Sequence, residues 1–130
     1  MKIKWTKELS VNNERIDIEH QMYFDLLNHI CNESEKGASK ERVVRLINEF
    51  VQFVRFHFMS EENVMIDTGY SGYAEHTRAH NYCLESVKTK VFAFKNDEIA
   101  VEEIVDFAVE WFFMHVSSLD KQLGKHLALL

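Results

Sequence analysis

Five of the seven histidines in this 130-residue chain, together with two acidic residues, recur at spacings that suit metal ligation. His57 and Glu61 stand four apart, and so do His76 and His80. On a helix that offset is about 40° around the axis and about 6 Å along it, so each pair shares a face. The turn Asp67-Thr-Gly-Tyr-Ser-Gly72 between the pairs lays those faces together. Unpaired polar groups are costly in an interior, and a metal satisfies all four side chains at once. His20, His115 and Asp120 fall on the inward faces of the other expected helices and complete the set. A lone histidine on an apolar face is usually a hydrogen-bonded core residue, but here every helix brings one. His29 and His126 lie off the pattern and read as surface histidines.

Five imidazoles and two carboxylates are too many for one structural zinc, which takes four ligands. They suit two octahedral ions that share bridges. The imidazoles, two bridging carboxylates and a bridging oxo or hydroxo group then fill every position but one. A split of three histidines and two puts the vacancy on the two-histidine ion. Imidazole with carboxylate suits iron, and manganese or zinc less specifically. Redox-active iron is the metal that makes an open position useful. His115 and Asp120 are five apart, about 140° on a regular helix. Both reach one site only if the helix widens locally to an i→i+5 turn, which is the expectation.

The elements that position these residues are legible as helices. The chain has no proline and only four glycines, three of them (Gly37, Gly69 and Gly72) between periodic segments. Apolar residues at intervals of three and four predict helices over Asp17 or Ile18 to Lys36, Lys40 to Ile66, Tyr73 to Phe94 and Glu98 to Leu119. Their inward stripes include Tyr23, Phe24, Leu27 and Ile30, then Val43, Ile47, Phe50 and Val54, then Cys83 and Val87, then Ile104, Val105 and Ala108. Ser39 is placed to cap the second helix and Ser71 the third. A tail follows Asp120, with an interruption expected at Gly124. Residues 1–15 read as an extended arm anchored by Trp5 and Leu9. Short connections make neighbouring helices antiparallel, so the predicted fold is all-α, an up-down-up-down antiparallel four-helix bundle with an extended N-terminal arm.

Composition narrows the function. Apolar residues make up 46% of the chain and include ten Phe, enough for a substantial core. Net charge is −6 with no basic block, which argues against nucleic acid or an anionic membrane surface as partner. The N-terminus lacks a signal-peptide core and no apolar run approaches membrane-spanning length, so a cytoplasmic protein is expected. Cys31 and Cys83 form no zinc-like pair and read as buried thiols. No histidine follows a glutamate by three residues, as in ferritin-like di-iron sites. His-Glu-x-x-His, the zinc hydrolase string, is absent.

Taken together, Asp17-Ile-Glu-His20, His57-Phe-Met-Ser-Glu61-Glu62, Gly69-Tyr70, His76-x-x-x-His80 and Trp111-x-x-x-His115-x-x-x-x-Asp120 resemble the hemerythrins, most closely the bacterial stand-alone or domain form. The likeness covers nearly the whole chain and implies one hemerythrin-like domain over residues 1–130. It implies one iron held by His76, His80 and His115, another by His20 and His57, and bridges from Glu61 and Asp120. It further implies a non-heme di-iron protein that binds O2, as peroxide, at the open iron position, for oxygen storage, delivery or sensing. Another small diatomic is an alternative ligand, and an electron donor or a fused signalling partner is unspecified.

Two departures from the family pattern stand out. Ser71 replaces the proline common after the tyrosine, with no functional consequence expected. Tyr23 and Phe112 stand where the family usually has smaller aliphatic residues, and are expected with Phe58 and Trp111 around the open position as the ligand pocket. The Tyr23 hydroxyl either serves the bound ligand or turns to a backbone carbonyl. The first case would favour the competing reading, a di-iron redox enzyme acting on peroxide, nitric oxide or O2. A third possibility is a module in which the metal is structural or stored.

Overall fold

Three of the helices end in the same backbone device, and it sets the up-and-down path of the chain. In the computed structural model, which describes residues 3–130, α1 spans Glu14–Glu35, α2 Lys40–Asp67, α3 Tyr73–Lys95, α4 Val101–His115 and α5 Lys121–Ala128. At the end of α1, Gly37 adopts φ +87° while the Ala38 amide donates to Glu33 O and the Gly37 amide to Ser34 O. The α2 end repeats this with Gly69 at φ +64°, the Tyr70 amide bonded to Met65 O and the Gly69 amide to Ile66 O. A left-handed residue just past the last turn closes the orphan carbonyls and reverses the chain. Asp97, at φ +60°, does the same after α3. That reversal ties the Glu98 amide back to Ala93 O, so α4 begins at Val101 and not at the expected Glu98.

Side chains cap the starts of α1 and α2 but not those of α3 and α4. Ser39 accepts from the Arg42 amide as predicted. Asn13 accepts from the Ile16 amide, which starts α1 about a turn before the expected Asp17. Ser71 does not cap α3: Gly72 occupies that position and no side chain bonds there.

Asp17 serves the arm. Its carboxylate accepts from Ser10 Oγ at 2.6 Å and the Val11 amide at 3.0 Å. Lys121 Nζ holds the carbonyls of Glu8 and Ser10 from the other side. Trp5 and Leu9 pack against the core, as expected, and Val11 is fully buried. Gly124 does not interrupt the tail; α5 runs through it. A Cβ on Gly124 would stand 2.5 Å from Val11 O, so the missing side chain is what lets the arm lie against α5.

The core is a column of large apolar side chains, Phe24, Leu27, Ile30, Ile47, Phe50 and Ile104 among them. Cys83 is buried within it, whereas Cys31 is only half-buried. The arrangement is the all-α antiparallel four-helix bundle that the sequence predicts, α4 and α5 forming one rod. Antiparallel packing brings the start of α1, the end of α2, the start of α3 and the end of α4 to one end of the bundle, where the histidines lie.

Candidate metal centre

His115 closes α4, and the next five residues, Val116–Asp120, form a single π turn before α5 resumes the α-helix. The wider turn returns Asp120 to the face of His115, with Asp120 Oδ1 3.0 Å from His115 Nε2. The expected widening is thus present, and it places a carboxylate where an uninterrupted helix would turn it away.

Seven side chains meet there, all buried: His20, His57, Glu61, His76, His80, His115 and Asp120. The two carboxylates organise them. Glu61 turns Oε1 to His76 Nε2 at 3.3 Å and His80 Nε2 at 3.1 Å. Its other oxygen, Oε2, faces His57 Nε2 at 3.0 Å and His20 Nε2 at 3.4 Å. Asp120 turns Oδ1 to His76 at 2.9 Å and to His115, and Oδ2 to His20 at 3.3 Å. The donors thus fall into two groups, one with three imidazoles and one with two, and both carboxylates reach into each.

His80 Nε2 bonds Glu61 Oε1, but most of these approaches are not hydrogen bonds. Both Asp120 oxygens and Glu61 Oε2 lack a properly directed donor. His76 Nε2 and His115 Nε2 face each other at 3.0 Å, a pair that bonds only where one of them carries the proton. An ion about 2.1 Å from each of two donors at a right angle separates them by about 3.0 Å. The spacing therefore fits donors aimed at a common cation, and one metal could sit within Glu61, His76, His80, His115 and Asp120 and another within His20, His57 and Glu61.

Electrostatics agree. Without a cation, burial alone would push the Glu61 and Asp120 carboxyls up, and their mutual repulsion would raise Asp120 further, yet the surrounding imidazoles hold both well below the usual range. Burial likewise pushes His57 down, but the Glu61 charge and the bond to Glu19 bring it up to about 10. His76, facing the Asp120 and Glu61 carboxylates, rises against its burial to about 9. The cluster thus draws in positive charge, as protons where no metal is bound.

Around the donors lie rings and two further carboxylates. Phe112 meets His20 edge-on at 4.9 Å and packs on Tyr23 at 4.8 Å. Phe58 stacks flat on His80 at 3.8 Å and Trp111 on His115 at 4.3 Å, so these two cover the three-histidine group, Phe58 also reaching His57 at 5.9 Å. Tyr23 donates its hydroxyl to the Ala108 carbonyl at 2.7 Å. Of the two fates open to that hydroxyl, the structure takes the backbone one. Glu19 and Glu62, which sequence reading left without a role, accept from His57 Nδ1 and His80 Nδ1 at 2.7 and 2.8 Å. Their positions beside His20 and Glu61 were the available signal, because a residue next to an inward ligand faces the adjoining helix. His29 is exposed as expected, but His126 is half-buried, bonded to Thr68 Oγ1 at 3.0 Å with its ring 4.8 Å from Tyr70.

Residues 11–127 match the hemerythrin HHE cation-binding domain. The chain belongs to the hemerythrin family. It is 27% identical to a bacteriohemerythrin of Stenotrophomonas maltophilia over 127 residues, 95% of this chain and 82% of that protein. A bacteriohemerythrin of Methylococcus capsulatus is 26% identical over 126 residues, 95% of each chain. A solved wild-type hemerythrin superposes with a TM-score of 0.88 over 98% of both chains at 24% identity. Hemerythrins bind O2 at a di-iron centre, and the His/Glu/Asp cluster described above fits an oxygen-binding protein of that kind. Among the described residues no helix is long and apolar enough to cross a membrane.

Proposed function

We propose that this chain, as a single hemerythrin-like domain, holds two iron ions and binds O2 reversibly, for storage, delivery or sensing. His76, His80 and His115 would hold one ion and His20 and His57 the other. Glu61 and Asp120 would bridge the pair, with an oxo or hydroxo group between them. The observation that carries this reading is the unequal division of histidines around two shared carboxylates, which leaves the two-histidine side short of one donor. When bound, the iron pair supplies two electrons and an open position for O2 or another small diatomic.

The protein's own part is to hold the donors and keep water out. Phe112, Tyr23 and Phe24 pack together beside His20. Burial of these rings makes the pocket dry, which slows loss of the bound ligand by protonation. With the Tyr23 hydroxyl donating to Ala108 O, this wall aims no proton donor at the open position, which favours carriage over turnover.

The test is an oxygenation cycle on iron-loaded protein. Reduced protein is exposed to air, O2 is then removed, and the visible spectrum is followed. Absorption that appears and reverses supports carriage. Absorption that decays to the fully oxidised form on the first exposure points to turnover, and no change with iron bound points to a structural metal.

A further inference from the structure

Among the described residues, the one buried carboxylate beside the centre that belongs to neither donor group is Glu19. It is 6% exposed and each of its oxygens is engaged. Oε1 accepts from His57 Nδ1 at 2.7 Å. Oε2 accepts from Arg15 Nε at 3.1 Å and from the buried Ser60 Oγ at 3.3 Å. Burial pushes the Glu19 carboxyl up, but the bonds from His57 and Arg15 outweigh that and leave it below its ordinary value.

The five histidines are not served alike. His20 Nδ1 and His76 Nδ1 have no hydrogen-bond partner among the described residues. His80 has Glu62, whose side chain is 24% exposed and therefore well screened. On the two-histidine side, the anionic partner of His57 is the only one among the described residues, and it is dry. A carboxylate on the far nitrogen of a ligating imidazole fixes the ring and makes the near nitrogen a stronger donor. In a low-dielectric setting that effect is large.

Resting on the di-iron reading above, we infer that Glu19 is a positioning residue that aims His57 Nε2 at the open-side ion and, through its charge, sets that ion's reduction potential. Arg15 moderates it from the surface: by sharing Glu19 Oε2 it withdraws part of the charge that His57 feels. A stronger donor stabilises the ferric state, so Glu19 lowers the potential and Arg15 raises it.

The two residues therefore predict shifts of opposite sign. Glu19→Gln keeps the shape and an acceptor for Nδ1 but removes the charge; the midpoint potential of the iron-loaded protein is expected to rise, with two irons per chain retained. Arg15→Gln is expected to lower it, by less, because Arg15 is largely exposed. Glu19→Ala, which also loses the aim of the ring, is expected to weaken Zn(II) binding to metal-free protein by about 10–100-fold in chelator competition. Glu62→Gln serves as the control for a carboxylate lost from the opposite side. Unchanged potentials in Glu19→Gln and Arg15→Gln, or shifts of the same sign, overturn the inference, as does unchanged Zn(II) affinity in Glu19→Ala. If these fail while the parent protein loads two irons and oxygenates reversibly, only the role of Glu19 falls. If the parent does not load two irons, the di-iron reading falls and takes this inference with it.

Discussion

Glu61 and Asp120 are matched oxygen for oxygen across the centre: each turns one carboxylate oxygen to His20, at 3.4 and 3.3 Å, and the other to His76, at 3.3 and 2.9 Å. Two buried carboxylates held in register are unfavourable unless cations lie between them. One comes from a regular helix and the other from a π turn, so the pairing depends on that local widening of the last helix.

His57→Ala is expected to remove one of the two imidazoles on the less populated side. Iron content should fall below two per chain. The melting temperature of the iron-loaded protein should fall with it, because metal that binds only the folded state stabilises it by mass action. Iron analysis beside thermal melts checks this, and full stoichiometry in the variant would argue against the assignment of His57.

The stability of the metal-free protein should depend on pH in a defined direction. His57 and His76 have folded-state values of about 10 and about 9, above the ordinary 6.5. Their contribution is therefore fully present below the ordinary value and is lost as pH rises through the folded ones. Glu61 and Asp120 are depressed, so their contribution is present above the ordinary carboxylate range and lost as pH falls through their lower values. Melts of metal-free protein should show stability declining as pH rises from about 6.5 through about 10. A rise over that interval would contradict the assignment.

Much of this was legible beforehand. Four of the seven donors were marked by intervals of four, His20 and His115 by their place on inward stripes, and Asp120 with the π turn by the single interval of five. These are properties of helix geometry, which sequence carries directly. The Tyr23 hydroxyl was not legible, because the carbonyl it meets, Ala108 O, is 85 residues away and becomes its neighbour only in the folded bundle. Nor was the fate of His126, which depends on α5 continuing through Gly124 to bring it over Thr68. Along that continuation Gly124 lets the arm lie against α5, a contact between segments far apart in sequence.

Tyr23→Phe should be a stability variant. It deletes one buried hydrogen bond to Ala108 O, with an expected loss of about 0.5–1.5 kcal/mol in denaturant unfolding. Oxygenation should still reverse when O2 is removed. Loss of reversibility in this variant would give the hydroxyl a part in chemistry that its hydrogen bond does not suggest.

Gly124→Ala tests the contact of the arm with α5. In a helix the change alone would stabilise by about 1 kcal/mol. Here the new methyl would stand 2.5 Å from Val11 O, backbone that cannot turn aside. The expected outcome is a net loss of about 1–3 kcal/mol, and a gain in stability would show that the arm yields freely.

The central claim is best tested by anomalous scattering at the iron edge from crystals of iron-loaded protein. The account predicts two iron peaks per chain, both lying between the carboxylates of Glu61 and Asp120, one beside His76, His80 and His115 and the other beside His20 and His57. A single peak, or iron bound away from these seven side chains, would contradict it.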